Sequence, residues 1–245
     1  YVKQPVPLSW TRTLDKMASL RSSKPYLTLA EATDLATSCG VRDKDVRLML
    51  SLFHDLGVTT YFYTSASLYN YVILDPQWLI SLMSLVVRDF ALHWSDVWDD
   101  PKWLSDRLAA DVDALRKEAL LTLDLLDELW AAEPPEVRTF VRDLMLRTWL
   151  MAPWSATDGP LAGKEAYLVP SLLEVSSTTG SHVPPPPTPS SLVEFDIVAT
   201  PLLPAGLFHR LVAQVAHSGF NDYADSAPPR LAKTTARLSL GWNDF

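Results

Sequence analysis

The sequence predicts a mostly helical α+β fold in two subdomains, on three observations. Apolar residues recur at helical spacing in successive segments, short β-rich runs separate some of them, and 19 prolines against 8 glycines fall at the breaks. The chain reads as helices joined by stiff connectors. Its 245 residues, 48% apolar and 20% charged, suffice for one sizeable core or two modest ones.

In the first segment Trp10, Leu14 and Met17 follow Pro7 at i, i+4 and i+7, which predicts an amphipathic helix over about Leu8 to Leu20. The second helix opens on a capping-box pattern, Thr28 with Glu31. It carries Leu29, Ala32, Leu35 and Ala36 on its apolar face and stops at Gly40. Cys39 lies in its last turn, where the negative helix dipole discourages a thiolate, so a packed structural thiol is expected rather than a nucleophile. The third helix runs from Asp43, a candidate N-cap, through Val46, Met49, Leu50, Phe53 and Leu56 to Gly57. Two β-rich runs, Val58 to Tyr63 and Tyr71 to Leu74, flank the polar loop Thr64 to Ser67 and read as a hairpin. Three helices and a hairpin predict a winged helix.

Asp75 caps the next helix and Pro76 takes its first position, where a missing N–H costs nothing. From Trp78 to Val87 it is apolar almost all round, so burial is expected. Trp94, Trp98 and Trp103 follow among aspartates, and a longer helical region from about Asp111 to Trp130 ends at Pro134 and Pro135. From Glu136, the residues Val137, Phe140, Val141, Leu144 and Thr148 form an inward stripe, with Arg138, Arg142 and Arg147 outside, until Pro153. Ala166 to Val169 is extended. Residues 176–191, with Pro184 to Pro187 in one block, suit a spacer rather than helix or sheet. Beyond it Val193, Phe195 and Ile197 alternate as a strand, and Pro204 and Gly206 frame a helix bearing Leu207, Phe208, Leu211, Val212 and Val215. Ala236, Leu238, Leu240 and Trp242 then alternate again. A strand with no partner downstream suggests a partial second domain.

Charge narrows the function. Of a net −8, the stretch Asp96 to Glu133 holds eleven acids against four bases, which suits a solvated helix face and opposes phosphate backbones. A winged-helix nucleic-acid binder is the alternative reading, since that fold places its third helix in the major groove. Arg42 to Asp55 carries three bases against three acids, and Thr64 to Asn70 has neither Lys nor Arg, so counterion release would supply little affinity. No nucleic-acid partner is expected.

No chemistry is expected either. Gly159 and Gly163-Lys164 superficially suggest a phosphate loop, but Glu165 stands where Ser or Thr is required and no apolar strand leads in. His54, His93, His182, His209 and His217 show neither HExxH spacing nor pairing with cysteine, so no metal or cysteine–histidine nucleophile is expected. The single cysteine excludes an internal disulfide framework and suits a reducing compartment, with the cytoplasm as the expected location. The longest apolar stretch, Val72 to Val87, is interrupted by Asp75, Pro76 and Gln77, so direct membrane insertion is not expected.

Phe53 to Gly57, a hairpin, and then VILDPQWLISLM at Val72 to Met83 resemble the signature of the COR domain, the segment C-terminal of the Roc GTPase domain in Roco-family proteins. LTLDLLDELW (Leu121 to Trp130), YLVPSLL (Tyr167 to Leu173) and LLPAGLFHRLV (Leu202 to Val212) resemble later COR elements in the same order. VPLSW (Val6 to Trp10) and KPYLTLAEA (Lys24 to Ala32) resemble the opening of such domains. Two departures stand out: a longer proline block, and a second half that breaks off before its sheet is complete.

The resemblance implies a winged-helix-like COR-A subdomain with added helices over 1–175, a Pro-rich linker over 176–191, and the N-terminal part of an α+β COR-B subdomain over 192–245. It implies a non-catalytic regulatory and dimerisation module that transmits the nucleotide state of the preceding Roc GTPase domain. GTP or GDP and Mg would be bound in that upstream domain, with no cofactor in this segment. The implied contact with the GTPase domain is Val72, Leu74, Asp75, Pro76, Gln77 and Trp78. Leu207, Phe208, Arg210 and Leu211 are the implied COR-B dimer or core residues, and a COR-B homodimer is the implied assembly.

Overall fold

The computed structural model describes residues 6–87, 106–154, 161–173, 206–217, 230–231 and 236–237. The fold is mostly helical α+β, and it divides into two compact units. One comprises residues up to Val86 with Ala132–Leu144, and the other comprises Val87–Ala131 with residues from Met145 onward.

The first unit begins with α1 (Leu8–Leu20), whose Met17 is buried while Trp10, Leu14 and Leu20 pack partly buried against the same core. Strand β1 (Tyr26–Thr28) runs directly into α2 (Leu29–Ser38). At that junction the Glu31 N–H donates to Thr28 Oγ1 at 3.2 Å and the Thr28 N–H donates to Glu31 Oε2 at 2.9 Å. This reciprocal cap satisfies two N–H groups that a helix start otherwise leaves unpaired. Gly40, at φ 87°, turns the chain out of α2 in the left-handed region that glycine tolerates.

Helix α3 (Asp43–Asp55) buries Val46, Met49, Leu50 and Phe53, positions three and four apart, against α1, α2 and the sheet. Burying each such side chain contributes about 1.5–3 kcal/mol. After Gly57 the Val58 and Thr59 N–H groups both donate to the Phe53 carbonyl, so they are spent on closing the helix. The strand expected over Val58 to Tyr63 is therefore shortened to β2 (Thr60–Tyr61). Strand β3 (Tyr71–Ile73) lies between β1 and β2, antiparallel to both, with Ile73 opposite Tyr26 on one side and Thr60 on the other.

Helix α4 (Pro76–Ser84) follows β3 after Leu74 and its N-cap Asp75. Leu79 and Leu82 are buried, yet Ile80 is 52% exposed and Gln77 and Ser81 face solvent. The expectation that this helix is buried all round is thus corrected. Gln77, Ser81 and Ser84 fall at i, i+4 and i+7, a polar stripe hidden among apolar neighbours.

In the second unit a 3₁₀ turn (Asp106–Leu108) leads into α5 (Ala109–Glu118). The long helix expected over Asp111 to Trp130 is interrupted. Ala119 adopts φ 59°, β4 (Leu120–Thr122) enters a sheet, and α6 (Leu123–Leu129) restarts with the Leu125 N–H on Thr122 Oγ1 at 3.3 Å. A leucine-rich run satisfies both periodicities, and pairing with a distant strand decides.

Helix α7 (Pro135–Arg147) buries the expected Val137, Phe140, Val141 and Leu144. It ends before Thr148, which is only half-buried, rather than at Pro153, because the Leu150 N–H turns back to the Met145 carbonyl. Pro153 instead lies in β5 (Ala152–Trp154), which with β4 flanks β6 (Ala166–Leu168) in a second antiparallel sheet. In the second unit a 3₁₀ turn at Pro170–Leu172 follows β6, and α8 (Leu207–His217) packs against β5 and that turn. β7 (Arg230–Leu231) and β8 (Ala236–Arg237) pair antiparallel. Val193 to Ile197, the proline block, the tryptophans at 94, 98 and 103, and the rest of the Ala236 to Trp242 alternation lie outside the described residues. Among the described residues no helix is long and apolar enough to cross a membrane.

Candidate functional site

The β3–α4 step is set by hydrogen bonds from three elements. The N–H groups of Leu74 and Asp75 both donate to the Pro25 carbonyl, at 2.8 and 2.9 Å, holding the end of β3 beside the entry to β1. Asp75 Oδ1 accepts from the Gln77 N–H at 3.2 Å, capping α4, and from Arg21 Nη2 at 3.1 Å. Pro76 presets the first helical φ. The chain consequently turns from a buried strand into a helix within two residues, Leu74 and Asp75.

The six residues implied as a contact do not act as one surface. Val72 and Leu74 belong to the core and touch no solvent-facing patch. Asp75, Pro76 and Trp78 are half-buried, and Gln77 is exposed. The outward face is Gln77 with Ile80 and Ser81, one turn further along α4 than the resemblance implies. Val72, Ile73 and Leu74 are all buried, which keeps Val72 and Leu74 off the surface, and the polar stripe of α4 is the sequence signal that adds Ile80.

Trp78 is the hub beneath that face. Its indole N–H donates to Glu133 Oε1 at 3.1 Å, and its ring lies 5.0 Å from that of Tyr26. Tyr26 meets Tyr71 edge-on at 5.8 Å, and Tyr71 packs on Phe140 at 4.9 Å. Burial pushes the Tyr26 phenol above its ordinary value, and Glu133, Glu31 and Glu136 push it the same way. Burial also raises Tyr71, with Glu136 and Tyr26 adding to it. Both phenols therefore stay neutral, as uncharged parts of an aromatic row.

The second implied set lies on α8. Leu207 and Phe208 are half-buried, while Arg210 and Leu211 face outward and Val212 and Ala213 pack inward. The helix is thus amphipathic and offers Arg210 and Leu211 to solvent.

Lys164 does not belong to a phosphate loop. Its ammonium lies 2.8 and 3.0 Å from the two oxygens of Asp111, whose carboxylate is fully buried. Gly163 and Lys164 therefore do not fit a nucleotide, and Asp111 leaves the solvated acidic face expected for it. Among the described residues no group of three or more His, Cys, Asp or Glu is placed to hold a metal ion.

Cys39 is buried, as expected of a packed thiol. Burial opposes its ionisation, but the hydroxyls of Thr13 and Ser38 and the Lys16 ammonium outweigh that, so the thiol lies below its ordinary value. The dipole of α2 alone predicted the opposite; the hydroxyls of Thr13 and Ser38 come first in reversing it, with Lys16 adding to them. On α3, the helix a winged-helix nucleic-acid binder would insert, Leu48 and Leu56 are 62% and 63% exposed and Arg47 lies over the Tyr69 ring at 5.3 Å. Exposed leucines interrupt the few cations of that face, where phosphate contacts need a cluster of them.

A family model described as C-terminal of Roc, COR-A domain, matches residues 7–173. The chain is similar to probable serine/threonine-protein kinase roco5 of Dictyostelium discoideum, 33% identical over 67 residues that cover 27% of this chain and 2% of that protein. It is also similar to the solved structure of Methanosarcina barkeri Roco2 RocCORdC bound to GDP, at 20% identity and a TM-score of 0.48. That match covers 69% of this chain and 44% of the other. The chain thus spans a small part of the first relative and under half of the second.

Proposed function

The chain belongs to the COR-A domain family of Roco proteins, and from that premise we propose that it is a non-catalytic regulatory and dimerisation module of a Roco GTPase. It receives the nucleotide state of a Roc GTPase domain in the same polypeptide and passes it to dimerisation and to downstream domains. Residues 1–175 form the COR-A part, 176–191 the linker, and 192–245 the N-terminal part of COR-B. GTP or GDP and Mg bind in the GTPase domain.

The observation that carries this reading is the β3–α4 step. A tightly bonded turn presents one apolar side chain, Ile80, beside Gln77 on an otherwise polar face. Such a residue on a rigid element is suited to a protein contact, because little ordering entropy is lost when it docks. Coupling then requires that the contact differ between two nucleotide states. For assembly, Arg210 and Leu211 on α8 supply an outward face in the COR-B part.

In the polypeptide carrying both domains, Gln77→Arg or Ile80→Asp changes nucleotide affinity or hydrolysis while leaving the nucleotide pocket intact. Unchanged kinetics in a folded variant contradict the contact. Light scattering of the same polypeptide, extended beyond Phe245, shows a dimer in at least one nucleotide state; a monomer in every state contradicts the assembly.

A further inference from the structure

We propose that Glu133 is a positioning residue for the β3–α4 contact: its carboxylate fixes Trp78 so that the Gln77–Ile80 face keeps the orientation a GTPase domain reads. The inference rests on the coupling reading above and adds to it the residue that holds the contact in place.

Trp78 lies in the first turn of α4, directly after Gln77 and two residues before Ile80. What anchors that indole therefore adds a restraint on the seating of the turn that carries both exposed side chains, beyond the backbone bonds that start it. The Tyr26 ring packs on the indole at 5.0 Å with a 32° tilt. Ring contacts of this kind tolerate sliding. The bond from Trp78 Nε1 to Glu133 Oε1, at 3.1 Å, has a charged acceptor and is directional. Of the two restraints it is the one that fixes an angle.

Glu133 is itself held. Pro134 and Pro135 follow it with fixed φ, and the Pro134 carbonyl accepts from the N–H groups of Val137 and Arg138, both at 3.0 Å. The carboxylate is thus carried on the stiff entry to α7. The same helix delivers Phe140 onto Tyr71, 4.9 Å between centroids, and Tyr71 in turn meets Tyr26. The segment from Glu133 to Phe140 consequently grips the step twice, once at Trp78 in α4 and once at Tyr71 in β3. A cap at Asp75 already explains why α4 starts; it does not explain a carboxylate 55 residues away at the indole N–H of Trp78.

The test uses the polypeptide containing the GTPase domain, with the indole ¹H–¹⁵N resonance of Trp78 and the nucleotide release rate as readouts. Glu133→Ala shifts the Trp78 resonance and changes release by roughly twofold or more, the scale of coupling changes from residues that touch neither ligand. Glu133→Gln, which keeps a carbonyl acceptor, restores both toward wild type. In a Trp78→Phe background, which lacks the donor, Glu133→Ala adds nothing further. An unmoved Trp78 resonance in Glu133→Ala overturns the proposal. So does a moved resonance with unchanged release, provided Gln77→Arg or Ile80→Asp alters release; the coupling reading then stands without Glu133. If those two variants also leave release unchanged, the coupling reading fails and this proposal falls with it.

Discussion

The Lys164 ammonium lies 2.8 and 3.0 Å from the two carboxylate oxygens of Asp111, 53 residues earlier in the chain. The carboxylate is fully buried, whereas the lysine side chain is 35% exposed. Removing the lysine strands a buried charge; removing the acid leaves an ammonium that still reaches water. Lys164→Met should therefore cost about 3–5 kcal/mol, and Asp111→Asn less, about 1–3 kcal/mol. Denaturant unfolding of both variants checks the order, and equal costs would contradict the asymmetry.

Two leucines on one helix make a second contrast. Leu50 is fully buried in the core and Leu48, two residues before it, is 62% exposed. Leu50→Ala leaves a cavity and should destabilise by about 2–5 kcal/mol, while Leu48→Ala should stay within about 0.5 kcal/mol. Chemical denaturation of the two variants measures the difference directly.

The cap of α2 predicts a pH dependence. A side-chain bond from Lys24 and a backbone bond from Thr28 hold the Glu31 carboxyl below its ordinary value of 4.5. A carboxyl lowered in the folded state contributes stability that is complete above its unfolded value and is lost as pH falls through its folded one. Thermal melts of wild type and Glu31→Gln should differ at neutral pH and converge below about pH 4.5. A gap that persists at low pH would contradict the ionic origin. Thr28→Ala should cost about 1 kcal/mol, because it leaves the Glu31 N–H uncapped.

What was legible in the sequence was local. The cap at Thr28 and Glu31, the Asp75–Pro76 start of α4 and the glycine stop at Gly40 depend on residues within one turn of each other, so their pattern is written in consecutive letters. Strands β1 and β4 were not legible. Each is three residues long and exists through pairing with β3 or β6, more than 40 positions away. The same distance hid two side-chain contacts, one in each unit: Glu133 on Trp78 and Lys164 on Asp111 join residues whose neighbours in sequence give no hint of the partner. The exposed face of α4 was hidden differently, because a run of leucine, isoleucine and methionine reads as buried until the sheet shows which side is covered.

Coupling is the central claim, and it requires that α4 meet different surroundings in the two nucleotide states. Hydrogen exchange of the polypeptide containing the GTPase domain, compared between GDP and a non-hydrolysable GTP analogue, reads this from the amides of residues 76–84. Protection over that stretch should change with nucleotide state, joined by a change over residues 133–140. Identical exchange in both states over residues 76–84, with the GTPase domain itself responding to nucleotide, would contradict coupling.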